Sequence, residues 1–167
     1  DRGERVARYD KIHLFDVRLD NGEVYNESAS IEPGDTPVVV DTPFGKLGLA
    51  VCYDLRFPEL FRQLLDQGAE LFVVPSAFTV RTGRAHWEVL VRARAVENLA
   101  YVIAAAQGGY HLNGRETYGD SMIVNPWGEV LDRLARGSGV VLADLDRRYF
   151  EHTRTSFPSI QHRKLRA

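Results

Sequence analysis

A chain of 167 residues can bury the core of one domain but not of two independent ones. Its 44% hydrophobic and 26% charged residues and formal net charge of -2 describe an ordinary globular protein, with no basic block to mark a nucleic-acid partner. No apolar run approaches the ~20 residues of a membrane span, and no signal-peptide pattern opens the chain. The single cysteine excludes an internal disulfide and fits a reducing, cytoplasmic setting.

The first residue is Asp1 rather than Met, and regular structure is expected almost at once, so the sequence reads as a processed or truncated chain. Residues 38–41 are a short β-branched run, and Thr42-Pro43-Phe44-Gly45 has the composition of a turn. Residues 46–51 follow as a mostly apolar strand, the kind found inside a sheet covered on both faces. A helix is expected from Pro58, which suits a first turn, with Glu59 favourable to the dipole. Leu60, Phe61, Leu64 and Leu65 form its apolar stripe, and Gly68 ends it. Residues 70–75 read as a second buried strand. Residues 85–99 carry Val89, Ala93 and Val96 at helical spacing, continuing to Ala100, and residues 101–106 give a third strand.

Residues 108–119 are polar and Gly-rich and read as a loop. Residues 121–125 and 129–134 flank Pro126-Trp127-Gly128 as a hairpin, and residues 139–145 give a last strand. The tail from Arg147 is basic and mixed, with Pro158 as a breaker; it reads as an arm packing on a neighbour rather than as a core element. Strand–helix–strand alternation followed by a hairpin argues for an α/β layered domain with a mixed sheet. That pattern names no function.

Cys52 closes the 46–51 strand just ahead of the Pro58 helix, and strand ends of open α/β sheets are where ligands and catalytic groups collect. A thiol there can be exposed, with backbone N–H groups of the following turn free to face an oxyanion. The neighbouring Tyr53-Asp54-Leu55-Arg56-Phe57-Pro58-Glu59 is rich in charge for the exit of a buried strand. Position alone leaves a second reading open, because a free cysteine commonly behaves as a small buried hydrophobe. His86 and Glu88 form a His-x-Glu, but no Cys-x-x-Cys follows and no second histidine stands at ligand spacing, so no metal is expected. His86 reads as a hydrogen-bonding residue at a helix start, and Trp87 and Trp127 as core or interface aromatics.

The segment Gly-Leu-Ala-Val-Cys-Tyr-Asp-Leu-Arg-Phe-Pro-Glu-Leu at 48–60 resembles the nucleophile motif of the nitrilase superfamily of carbon–nitrogen hydrolases. Tyr9-Asp10-Lys11-Ile12-His13-Leu14-Phe15-Asp16 resembles that family's lysine motif. Pro75-Ser76-Ala77-Phe78, then His86-Trp87-Glu88 and Arg92-Ala93-Arg94-Ala95-Val96-Glu97-Asn98, resemble its post-cysteine segment. The stretch from Tyr118 to Glu129 is similar to its late hairpin. The four stretches stand in the family's order across nearly the whole chain. Within the superfamily the resemblance is strongest to the branch of deaminated-glutathione amidases and ω-amidases, on Ala-Val-Cys-Tyr-Asp-Leu-Arg-Phe-Pro-Glu-Leu and Ala-Ala-Ala-Gln at 104–107.

The resemblance implies an αββα sandwich, an amide substrate bearing a free carboxylate, no cofactor, and acyl transfer through a cysteine thioester. It assigns Cys52 as nucleophile and Lys11 as the ammonium that favours the thiolate and then the tetrahedral oxyanion. It makes the backbone N–H of Tyr53 a second oxyanion donor. A solvated surface lysine is the alternative for Lys11, and the apolar Ile12, Leu14 and Phe15 beside it argue for partial burial. Glu27 takes the place of a supporting glutamate; it could equally be a loop carboxylate. Arg56 stands where family members grip a substrate carboxylate in two-pronged fashion, and its alternative is an ion pair with Glu59 or Asp54. Asp120 receives no role.

The family's general-base glutamate lies well upstream of the lysine motif, and only ten residues precede Lys11, with Glu4 too close to be that residue. Residues 1–167 are therefore expected to be the C-terminal portion of a hydrolase domain, with little turnover in isolation. Two other readings remain at this level: an N-carbamoyl-amino-acid hydrolase, or a non-catalytic module of the same fold kept for binding. The family commonly pairs into homo-oligomers, and residues 157–163 suit an arm that crosses to a second copy.

Overall fold

In a computed structural model describing residues 3–20, 22–112 and 114–165, the apolar runs assemble as a six-stranded mixed sheet with two helices packed on one face. The chain begins with a separate antiparallel hairpin, β1 (Asp16–Arg18) and β2 (Val24–Asn26), followed by a 3-10 turn at Glu27–Ala29. β3 (Val39–Thr42) and β4 (Gly45–Leu49) form the expected antiparallel pair. After a 3-10 turn at Cys52–Arg56 come α1 (Pro58–Asp66), β5 (Leu71–Val73), α2 (Val80–Asn98) and β6 (Tyr101–Ala104). β4, β5 and β6 lie parallel, and α1 and α2 are the crossovers that parallel neighbours require. Then follow β7 (Gly108–Tyr110), β8 (Glu116–Tyr118), β9 (Ser121–Val124), β10 (Val130–Leu134) and α3 (Arg147–Ser156). The sheet order is β10-β9-β6-β5-β4-β3, with β9 antiparallel to β6.

The period of two along each strand decides what each face buries. In register across the sheet, Gly48, Phe72, Val102 and Val124 point to the face covered by α1 and α2. There they meet Leu60, Phe61, Leu64, Trp87 and Val91 in the main core. Gly48 is required at its position, since a Cβ would lie 2.8 Å from the Phe72 ring. On the opposite face Leu71 and Tyr101 bury against Phe150 of α3, with Leu47 and Ile103 beside them.

The structure corrects four expectations. α2 begins at Val80, not 85, because Thr79 caps it: its Oγ1 accepts from the Thr82 N–H at 3.2 Å. His86 consequently lies inside the helix rather than at its start. Residues 108–119 are not a plain loop but carry the β7–β8 ribbon. Residues 139–145 form no ladder: Val140 and Leu142 are exposed, and the Leu142 N–H is taken by Asp132 Oδ2 at 2.7 Å. The tail from Arg147 is a helix, not an arm, and Phe150 and Thr153 are buried. Its Arg154, only partly exposed, donates to the carbonyls of Leu99, Asn98 and Ala69 and lies 4.2 Å over the Phe150 ring. Those carbonyls are the unsatisfied ends left where α2 and the α1 connection stop. Trp87 is core, whereas Trp127 is exposed and meets Phe157 edge-on at 5.5 Å.

Candidate active site

Beyond β4 the parallel ladder continues through Ala50 N–H to Val73 O (3.1 Å) and Cys52 N–H to Pro75 O (2.9 Å). At Cys52 the chain then turns with φ +51°, a left-handed conformation that non-glycine residues rarely take and that costs roughly 1–3 kcal/mol. The turn brings the thiol to the carboxyl end of the sheet. Burial pushes the thiol above its ordinary pKa, while the Ala77 N–H and the positive charge of Lys11 pull it down; Glu27 and Asp54 add to the rise. The Tyr53 N–H starts the following 3-10 turn, where a helix offers no internal acceptor.

Lys11 faces the same cleft. Its Nζ donates to Glu27 Oε2 at 2.5 Å, and the Lys11 side chain is 11% exposed, so it is not a solvated surface lysine. The same Glu27 oxygen accepts from the Phe15 N–H at 2.7 Å, which fixes the carboxylate at the end of β2. Glu27 is thus a lysine partner rather than a free loop carboxylate. Lys11, Glu27 and Cys52 line one broad open cleft of about 1660 Å³, together with Tyr25, Arg115, and Arg81 and Arg84 of α2.

Arg56 does not line that cleft. It lies in a small adjoining cavity with Phe15, Cys52, Tyr53, Phe78 and Thr82. Its guanidinium sits 5.2 Å from the Phe78 ring centroid and donates to His86 Nδ1 at 3.2 Å. Among the described residues no carboxylate pairs with it. Asp54 is engaged elsewhere, so the structural ion pair with Glu59 or Asp54 is not formed. Half-burial holds the Arg56 pKa below its ordinary value.

Phe78 and Thr82 beside Arg56 were not legible in the sequence, because only the fold of α2 over the cysteine turn brings them there. Asp120 is buried and clamped by two hydrogen bonds from Arg133, at 2.6 and 2.8 Å. Among the described residues no group of three His, Cys, Asp or Glu side chains could hold a metal ion, and no helix is long and apolar enough to cross a membrane.

Residues 1–155 match the family model for carbon–nitrogen hydrolases. The chain is 47% identical over 163 residues to a deaminated glutathione amidase of Synechocystis, covering 96% of this chain and 60% of that one. It superposes on the NitFhit protein of C. elegans with a TM-score of 0.88 at 45% identity, covering 95% of this chain and 39% of the other. A mutant of an amidase from Nesterenkonia, with acrylamide added to its active-site cysteine by Michael addition, superposes with a TM-score of 0.72 at 31% identity, over 93% of this chain and 58% of its own. The chain spans about 50% to 60% of the length of the curated relatives it matches. The fold is α/β of the nitrilase type, and the chain belongs to the carbon–nitrogen hydrolase family of the nitrilase superfamily.

Proposed function

We propose that the protein hydrolyses the C–N bond of a small amide bearing a free carboxylate, by way of a thioester on Cys52. The observation that carries this reading is the meeting of Cys52, on its strained left-handed turn, with the Lys11–Glu27 pair in one cleft. Cys52 attacks the amide carbonyl, ammonia leaves, and water releases the acid. The Lys11 ammonium favours the thiolate, and together with the Tyr53 N–H it stabilises the developing oxyanion. Glu27 supports Lys11 in that place. The acrylamide adduct on the Nesterenkonia amidase's cysteine supports the assignment of Cys52, the one cysteine of this chain. The name of the Synechocystis relative favours deaminated glutathione or a related ω-amide as substrate.

Arg56 is the carboxylate grip: a half-buried guanidinium beside the thiol with no acidic partner among the described residues. Arg56→Ala is expected to raise KM for a carboxylate-bearing amide roughly thirtyfold, the loss of about 2 kcal/mol of charge-assisted hydrogen bonding. Neutral amides of the same length should be unaffected, and equal losses on both would remove Arg56 from this role.

The chemistry itself is tested by giving the full-length protein a short ω-amide with a terminal carboxylate, following ammonia release and the mass of rapidly quenched enzyme. An acyl adduct on the Cys52 peptide is the expected result. Ammonia release without any such adduct, or no release at all, would sink the thioester reading. We read the protein as cytoplasmic and self-associating, a reading supported by its lone cysteine and by the exposed Val89, Val96, Trp127 and Phe157.

A further inference from the structure

Lys11 lies on a segment without regular structure, so its position must come from tertiary contacts. Beside the bonds to Glu27 and the Gly34 N–H on the Lys11 carbonyl at 2.9 Å, several of those contacts gather on one residue. Asp54, two residues past Cys52 and fully buried, accepts from four donors. Tyr9 Oη donates to its Oδ2 at 2.8 Å, and the Val51 N–H donates to the same oxygen at 2.9 Å. The His13 N–H and His13 Nδ1 reach Oδ1 at 3.1 and 2.8 Å. Tyr9 Oη in turn accepts from the Ile12 N–H at 3.2 Å, closing residues 9–12 into a loop around Lys11. His13 stacks flat on Phe57 at 3.7 Å, and Phe15 meets Tyr53 edge-on at 4.9 Å, so rings on both sides of Lys11 dock onto the cysteine turn.

We propose that Asp54 is a positioning residue that sets Lys11 against Cys52, by holding the lysine segment and the cysteine turn on one buried carboxylate. The proposal rests on the roles given above to Cys52 and Lys11. It adds a part for a residue that touches neither substrate nor reacting atoms. Three of the donors come from the lysine segment and one from the end of the cysteine strand. Tyr9 and His13 flank Lys11 two residues to either side, and Val51 immediately precedes the thiol. A buried carboxylate with four donors is costly to disturb, because each donor left without its acceptor loses a bond it cannot replace with water.

The charge of Asp54 and its placement of Lys11 act on the thiol in opposite directions, and this makes the two separable. Asp54's own charge opposes thiolate formation; a well-placed Lys11 favours it. The experiment follows acrylamide labelling of Cys52 in the full-length protein against pH. The thiolate adds to the vinyl carbon and a solvent proton goes to the adjacent carbon, so the rate tracks the thiolate. Lys11→Met is the reference and should move the midpoint up by about one pH unit. Asp54→Asn, isosteric but uncharged, should also move it up, and should move it no further in the Lys11→Met background. Asp120→Asn, a buried acid paired elsewhere, should lower stability without moving the midpoint.

A downward or absent movement in Asp54→Asn, with Lys11→Met still moving up, overturns the positioning role and leaves the proposed chemistry standing. No movement in Lys11→Met overturns both. Should Asp54→Asn fail to fold, Tyr9→Phe keeps the carboxylate but cuts one of its three bonds to the lysine segment, together with the acceptor of the Ile12 N–H. An upward movement there supports the proposal, and none refutes it.

Discussion

Replacement of Lys11 by methionine is expected to lower turnover of a carboxylate-bearing amide by about a thousandfold or more, a transition-state loss of about 4 kcal/mol. Two effects combine. Burial already holds the Cys52 thiol above its ordinary pKa, and Lys11 is the side-chain charge that pulls it back. Without it the thiolate is scarcer at neutral pH, and the acyl-transfer oxyanion keeps only the Tyr53 N–H. The orphaned Glu27 compounds the loss, because its carboxylate now faces the thiol unopposed and raises its pKa further. Methionine nearly preserves the length and volume of the stem, so packing of residues 9–15 is not the cause. Steady-state ammonia release by the full-length protein measures the effect. A loss confined to acidic pH and recovered at high pH would mean that Lys11 serves only to ionise the thiol; the expected loss persists at high pH, because the oxyanion donor is missing there too. Turnover within tenfold of the parent across the whole pH range would remove Lys11 from the chemistry.

Why some of this was legible in the sequence and some not follows from where each signal resides. The β4–α1–β5–α2–β6 unit is written in continuous apolar runs punctuated by Pro58 and Gly68, and the structure keeps those boundaries closely except at the start of α2. The β1–β2 and β7–β8 strands are three residues each with mostly half-exposed or exposed side chains, so no run of apolar residues marks them. Their pairing is a tertiary fact. The first turn of α2 was hidden because Thr79-Val80-Arg81-Thr82-Gly83 has loop-like composition, and its helicity depends on the Thr79 cap. Residues 139–145 read as a strand, but Val140 and Leu142 are exposed, and exposure is not visible in the sequence. α3 offers only Phe150 and Thr153 to the interior along a basic, polar stretch, and its burial depends on the facing Leu71 and Tyr101.

The site divides in the same way. Cys52, Lys11 and Arg56 stand in motif-bearing segments and were named from them, and Glu27 was named only from the place the resemblance gives a supporting glutamate; the cleft then brings Cys52, Lys11 and Glu27 together, with Arg56 in the cavity alongside. Asp54 was weighed only as an ion-pair partner for Arg56. Its true partners, His13 and Tyr9, lie 41 and 45 residues upstream, a distance that no local spacing encodes.

Gly83→Ala should destabilise the fold by about 3 kcal/mol, although helix propensity alone would favour alanine by about 1 kcal/mol. A Cβ on Gly83 would stand 2.3 Å from both Cβ and Cγ of Tyr118. The Tyr118 Cβ is fixed by the backbone of β8, so no rotamer change relieves the clash, and α2 must move away from the ribbon. The two are stitched close by: the Tyr118 N–H donates to Phe78 O at 2.9 Å, and Thr79 bridges Thr117. One turn further along α2, the buried Trp87 donates to Asp120 O at 2.6 Å and stacks edge-on against Phe78 at 5.0 Å. Displacing the helix therefore loosens a core indole as well as the Phe78 wall of the Arg56 cavity. A lowered denaturant midpoint with an unchanged slope is the expected readout. Sterics must outweigh propensity here, and a midpoint equal to or above that of the parent would show that α2 can shift freely against β8.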